Sequence, residues 1–308
     1  MRKYWNIAGG LRPLEEPTSN SWIQVTCPSA EDCQYLENEI KIPDYFLNDI
    51  ADIEERSRYE IDEGWYLIIL RIPYAKEIPS RTPFTTIPLG IIIRNSLVIT
   101  VCNFETDMMN DFLNHQQRRG VGIADPPEMV FRLFLSSAVW YLKRLKQIST
   151  LIEQYKRSLD HNIDNVDLIN FSRLQDSLTY FITSIRGNET LLSKLKFRLP
   201  IDELDADLIE DVNIEMNQAR ETTSIYSNIL DSTMDTYANI INNNMSQVMR
   251  TLTGISLILM VPTLITSAFG MNLVNSMEND WWGFGLVVII SIIITVAFYW
   301  YFRNRKFL

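Results

Sequence analysis

The chain has 308 residues, a formal net charge of −10 at pH 7, 46% hydrophobic residues and three cysteines. The acidity argues against nucleic acid as a partner and favours the attraction of cations. Cys27, Cys33 and Cys102 are odd in number, and neither their spacing nor the placement of His115 and His161 follows a metal-ligand pattern. No disulfide framework or zinc site is expected, which fits a reducing, cytosolic compartment.

Met1 to Gly10 lacks the apolar core of a secretory leader, so none is expected. The first part reads as mixed α/β. Trp22 to Thr26 is a strand candidate. Ser29 is placed to cap a helix reaching Ile40, with Glu31 and Asp32 in its first turn. Pro43 and Asp44 open a short helix through Ile50. Arg58 to Ile61 and Trp65 to Pro73 form a strand pair around the turn signal Asp62-Glu63-Gly64. Phe84 to Ile93 and Leu97 to Cys102 form another, rich in β-branched residues, around Arg94-Asn95-Ser96.

From Pro126 the pattern becomes helical. Met129, Leu133, Val139, Leu142 and Leu145 fall at helical spacing, in a run extending to Ser158. Ile163 to Arg186 reads as a second helix stopped by Gly187, and Glu189 to Leu199 as a third segment ended by Pro200. A further helix starts near Asp202, with acids at its start and an apolar seam at Leu208, Val212, Met216, Ala219, Tyr226, Leu230, Thr233, Tyr237 and Ile240. No proline interrupts it before Pro262. One helix of some sixty residues, on the order of 90 Å, is expected to enter the membrane without a break. Its seam predicts assembly with neighbouring copies.

Thr251 to Phe269 holds no charged side chain. Its 19 residues reach roughly 28 Å, about one bilayer core. Trp281 to Phe302 is a second uncharged run. Arg250 precedes the first span and Arg303, Arg305 and Lys306 follow the second, whereas the loop from Leu273 to Asp280 carries Glu278 and Asp280 and no basic residue. The positive-inside rule then places both termini in the cytoplasm of a multi-pass protein of the plasma or inner membrane. The domains expected are an α/β domain over 1–120, a helical hairpin over 121–200, the stalk helix and first span over 201–272, an outer loop over 273–280, and the second span with a basic tail over 281–308.

Within the first span, Leu252, Ser256, Met260, Thr263 and Ser267 form one helical stripe, three of whose members carry hydroxyls. Small hydroxyl residues allow close helix packing in membranes. They equally suit a weakly polar pore wall that passes a cation still holding much of its water. No Gly-rich nucleotide loop, zinc pair or nucleophile elbow is present, so an enzyme is not expected.

Gly270-Met271-Asn272 closes the first of the two spans. It follows Pro262-Thr263-Leu264-Ile265 and precedes a short acidic loop, a second span and the basic end Arg303-Asn304-Arg305-Lys306-Phe307-Leu308. In this the chain resembles the CorA-type magnesium channels. The resemblance implies a funnel-shaped homopentamer in the lipid bilayer, with first spans lining a pore and Asn272 ringing its outer mouth. Mg²⁺ dehydrates reluctantly and prefers hard oxygens, and amide oxygens can accept hydrogen bonds from its water shell. Gly270 would let the chain turn tightly at the helix end, and Met271 would serve packing.

The resemblance also implies a regulatory Mg²⁺ site between cytoplasmic domains. Leu47-Asn48-Asp49-Ile50 and Asp211-Val212 resemble its two motifs, which assigns Asp49 and Asp211, with Asn48 where a second carboxylate is common. Bound Mg²⁺ would bridge Asp49 of one subunit and Asp211 of the next. Its loss would let the carboxylates repel and widen the pore near Leu252 and Met260. The expected cargo is Mg²⁺, with Co²⁺ or Ni²⁺ as further cargo, and no organic cofactor. A zinc transporter of the same architecture is the alternative, because Asn275-Ser276-Met277-Glu278-Asn279 departs from the magnesium pattern in the outer loop. A membrane-anchored enzyme or receptor is the remote one.

Overall fold

A computed structural model describes the chain except residues 8–9, 19, 77–81, 121, 162–164, 200–202, 272–281 and 305–308. Met1–Ser232 forms one compact unit and Thr233–Leu308 a second. The first unit is built on a seven-stranded sheet in the order β2-β1-β3-β7-β6-β5-β4. The strands are β1 (Arg2–Asn6), β2 (Arg12–Leu14), β3 (Ser21–Thr26), β4 (Arg58–Asp62), β5 (Trp65–Ala75), β6 (Phe84–Arg94) and β7 (Leu97–Cys102). Only β3 and β7 pair in parallel; the other neighbours are antiparallel.

Both expected hairpins form. Glu63 and Gly64 take φ of 46° and 79° between β4 and β5, the two positive values that a tight primed turn requires. Asn95, at φ 52°, turns β6 into β7. β1 and β2 lie outside the sequence-based expectation. They are short, and β2 presents mostly polar or exposed positions, so neither shows an apolar alternation.

The sheet is covered on both faces, and Leu67, Ile68, Ile69, Leu70 and Ile72 are all fully buried. A strand buried on both sides reads as a continuous apolar run, which is why β5 and β6 were legible. On one face, α1 (Ala30–Gln34), a π-helical turn (Tyr35–Glu39) and α2 (Asp44–Ala51) seat Leu36, Ile42, Phe46 and Ile50 against Ile23, Leu67, Ile69, Ile92 and Ile99. Ser29 caps α1 as its sequence suggested: its Oγ accepts from the Asp32 N–H, and Asp32 accepts from the Ser29 N–H. The expected single helix to Ile40 instead widens into the π turn after Gln34.

The opposite face meets α3 (Asp107–Arg119), α4 (Pro126–His161) and α5 (Asn165–Leu195). Helix α3 was not anticipated, although Thr106 caps its start and Gly120, at φ 65°, closes its end. Helix α5 runs straight through Gly187, which the sequence marked as a stop. The glycine serves close approach instead: a Cβ there would lie 3.1 Å from Ser57 Oγ. The Glu189 segment is therefore the last part of α5, not a third helix.

Asn188, beside that glycine, is fully buried and acts as a strand partner. Its side chain accepts from the Arg71 N–H at 3.1 Å and from Ser57 Oγ at 2.7 Å, and donates to the Arg71 carbonyl at 2.7 Å. Arg71 lies past Ile69, the last β5 residue paired with β4, so α5 supplies what the edge strand does not.

Helix α6 (Glu203–Phe269) is 67 residues long and contains Pro262. Its early buried residues are Ile209, Val212, Met216, Ala219, Thr223 and Leu230. Gln175 of α5 reaches Ser227 at 2.8 Å, and Arg220 reaches Glu189 of α5 at 3.1 Å. The first half of the seam is thus used within the chain, against α5, rather than being left for a neighbouring copy. Further along, Ile240, Ile241, Met245, Val248 and Met249 are exposed in the single chain. Helix α7 (Gly283–Asn304) completes the second unit.

Candidate functional site

The apolar end of α6 and the whole of α7 are long and apolar enough to cross a membrane. On α6 the shielded positions are Gly254, buried, and Ile258, Val261, Pro262 and Ile265, half-buried. Pro262 and Thr266 line a cavity of ≈ 380 Å³ with Val288, Ser291, Ile292, Thr295 and Val296 of α7. This is the face that α7 covers.

Leu252, Ser256, Met260, Thr263 and Ser267 are all exposed. Ser256 is two residues from both Gly254 and Ile258, and Thr263 is two residues from both Val261 and Ile265. Two residues turn a helix by about 200°, so the stripe lies opposite the α7-covered face. Close packing against α7 is therefore not what its hydroxyls serve. Ser256 Oγ donates to the Leu252 carbonyl at 2.8 Å and Thr263 Oγ1 to the Leu259 carbonyl at 2.9 Å. With their protons spent on the backbone, both oxygens turn lone pairs outward as acceptors.

Gly270 does not make the tight turn that was expected. Its N–H still donates to the Thr266 carbonyl at 2.9 Å, and its φ lies outside the left-handed region, so the winding continues to the residue before Met271. Met271 is exposed. Asn272, the outer loop and Trp281 lie outside the described residues.

The two regulatory carboxylates belong to the first unit. Asp211 is exposed on α6 beside Val212, which is fully buried. Asp49 is on α2 and is already engaged: the Arg58 guanidinium of β4 donates to Asp49 Oδ2 at 2.5 Å. The same guanidinium donates to Glu55 at 2.9 Å and also pairs with Glu60. Burial works against the charge, but the Glu60, Glu55 and Asp49 carboxylates outweigh it and raise the guanidinium pKa further. Nearby, Tyr45 Oη donates to Asp62 at 2.8 Å.

These pairings follow from two periodicities. Tyr45 and Asp49 are four apart on α2, and Arg58, Glu60 and Asp62 alternate along β4. One helix face and one strand face therefore meet. The sequence reading named Asp49 and passed over Arg58, though the alternation was there to be read. Among the described residues, no group of three His, Cys, Asp or Glu stands close enough to hold a metal ion within one chain. Asp49 and Asp211 offer the hard oxygens that suit Mg²⁺, and a complete site needs donors from a second copy or from water.

An α/β unit followed by two apolar helices, the first carrying an uncovered hydroxyl stripe, defines an integral membrane protein. The chain belongs to the CorA-like Mg²⁺ transporter family, whose sequence profile matches residues 18–305. It is 28% identical over 294 residues to a cobalt/magnesium transport protein CorA of Methanocaldococcus jannaschii, covering 92% of this chain and 90% of that one. Against the cobalt/magnesium transport protein CorA of Thermotoga maritima it is 23% identical over 304 residues, covering 96% and 86%. The complete structure of the Methanocaldococcus jannaschii CorA magnesium transporter superposes with a TM-score of 0.88 at 25% identity, over 100% of this chain and 99% of that one. The cytoplasmic domain of ZntB from Vibrio parahaemolyticus shares the fold alone, with a TM-score of 0.63 at 13% identity over 78% of this chain and 98% of that one.

Proposed function

We propose that the chain conducts Mg²⁺ across the membrane as a homopentamer, its stripe from Leu252 to Ser267 forming the pore wall. The observation that carries this reading is the placement of the stripe opposite the α7-covered face, exposed, with hydroxyl protons turned to the backbone. Water bound to a cation points its hydrogens outward, so a wall of acceptor oxygens suits an ion that keeps its shell. Gly270, Met271 and Asn272 follow on from that wall, and Asn272 forms the outer mouth. With both termini cytoplasmic, inward movement of a divalent ion through 100 mV releases roughly 4.6 kcal/mol, so no fuel site is needed.

Asp49 and Asp211 are the regulatory pair in this reading. Cytosolic Mg²⁺ bridges them across a subunit interface and favours the closed state. Co²⁺ is a second cargo, supported by the names of the related proteins. Zinc transport is the competing assignment. Purified chain in vesicles, with Mg²⁺ uptake measured against Co²⁺, Ni²⁺ and Zn²⁺, tests both: Mg²⁺ flux that Zn²⁺ does not replace is the expected result. Unchanged Mg²⁺ inhibition of transport in Asp211→Asn would overturn the regulatory assignment.

A further inference from the structure

We propose that Arg58 competes with the regulatory cation for Asp49, and so sets the Mg²⁺ concentration at which the sensor responds. The inference rests on the reading of Asp49 and Asp211 as the regulatory pair.

Asp49 is not a bare carboxylate waiting for a metal. Its Oδ2 holds the Arg58 guanidinium at 2.5 Å, and both side chains are about two-thirds shielded, with 28% and 34% of their surface exposed. A divalent cation brought to Asp49 meets a fixed positive charge at contact distance. Like charges on one carboxylate disfavour each other, so Mg²⁺ binds only as Arg58 withdraws. Arg58 has somewhere to go. Its Nε holds Glu55 and its remaining amino group holds Glu60, so it can give up Asp49 without becoming an unpaired cation. Three carboxylates share one guanidinium, and the cluster retains an excess of negative charge that a divalent ion can neutralise.

The geometry also changes what the metal-free state is. Mutual repulsion of free Asp49 and Asp211 carboxylates would require Asp49 to be unpaired when Mg²⁺ leaves. Here it passes to Arg58 instead. The sensor becomes an exchange between two cations, one built into β4 and one from the cytosol. A ligand shifts such an equilibrium only by its differential affinity for the two states. Any change that weakens the Arg58–Asp49 pair therefore lowers the Mg²⁺ needed, and any change that strengthens it raises the Mg²⁺ needed.

The test is a Mg²⁺ titration of thermal unfolding on the full chain in detergent, reading the Mg²⁺ concentration at half of the stabilisation. Arg58→Gln is expected to lower that concentration by at least about fivefold, and Arg58→Lys to hold it within about twofold. Glu60→Gln releases Arg58 toward Asp49 and is expected to raise it. An unchanged or raised half-point in Arg58→Gln overturns the competition and makes Arg58 a support for the metal site. Should Arg58→Gln fail to fold, Glu60→Gln carries the test, and a half-point that stays or falls there overturns it equally. Asp49→Asn separates the two levels. If it abolishes the Mg²⁺ stabilisation while the Arg58 and Glu60 variants leave the half-point in place, only the competition fails. If it leaves the stabilisation intact, the regulatory reading itself fails.

Discussion

Gly90 is where the sheet makes room for α2. A Cβ on Gly90 would lie 2.2 Å from Ile50 Cδ1 and 2.5 Å from its Cγ1, and Ile50 is fully buried beside Asp49. Gly90→Ala therefore forces Ile50 into another rotamer or lifts α2, at an expected cost of about 1–3 kcal/mol in thermal unfolding. Ile50→Ala in the same chain removes the clash, so the double variant is expected to lose less than the sum of the two single changes. Asn188 acts on the other face. Asn188→Ala leaves the Arg71 N–H and Ser57 without their partner in the core, and about 2–3 kcal/mol of stability is expected to go with it. A buried asparagine in the middle of a helix gives no sequence signal for a role 117 residues away. Asp49 was legible because its neighbours carry a motif. Arg58 was not, because an arginine on an edge strand is ordinarily a solvated one.

At the scale of elements, apolar periodicity decided what could be read. The paired strands β5, β6 and β7 and the starts of α2 and α4 follow from β-branched runs, turn residues and helical spacing. Helix α3 was passed over because its buried apolar residues are only Met108, Met109 and Phe112, too few for a periodic pattern. Gly187 misled because a glycine stops a helix or admits a close neighbour, and only the position of Ser57 tells which. Helix α3 is tied to α4 by Asp111, which accepts from Lys143 at 2.6 Å and from Trp140 Nε1 at 3.0 Å. The Lys143 hydrogen bond holds the Asp111 carboxyl below its ordinary value of 3.8. A depressed carboxyl stabilises the fold above its unfolded pKa and loses that contribution as pH falls through the folded value. Lys143→Ala is expected to cost less than about 1 kcal/mol at pH 7, because both groups are half-exposed, and nothing below that folded pKa. Unfolding midpoints of the two chains compared across pH 2 to 7 check this; a gap that persists at the acid end would contradict it.

At the scale of the whole molecule, the two spans and the residues closing the first were legible because a membrane imposes a length and a charge rule on any sequence. The sharing of the α6 seam between α5 and other copies was not, since one apolar stripe does not name its partner. The single chain covers the start of that seam and leaves Ile240, Ile241, Met245, Val248 and Met249 exposed along the next three turns. Assembled copies are the cover proposed here, and Val248→Glu is expected to lower the assembled fraction in size-exclusion chromatography of the detergent-solubilised chain. The central claim is that the ion passes along the Leu252–Ser267 stripe and the mouth at Asn272. Its most direct measurement is Mg²⁺ uptake into vesicles containing only this chain, under an inside-negative potential, for the original sequence and Asn272→Ala with assembly verified in both. The account predicts Mg²⁺ uptake that falls at least about tenfold in Asn272→Ala, a change of about 1.4 kcal/mol at the mouth. Uptake that is absent from the original chain, or unchanged in the variant, would contradict it.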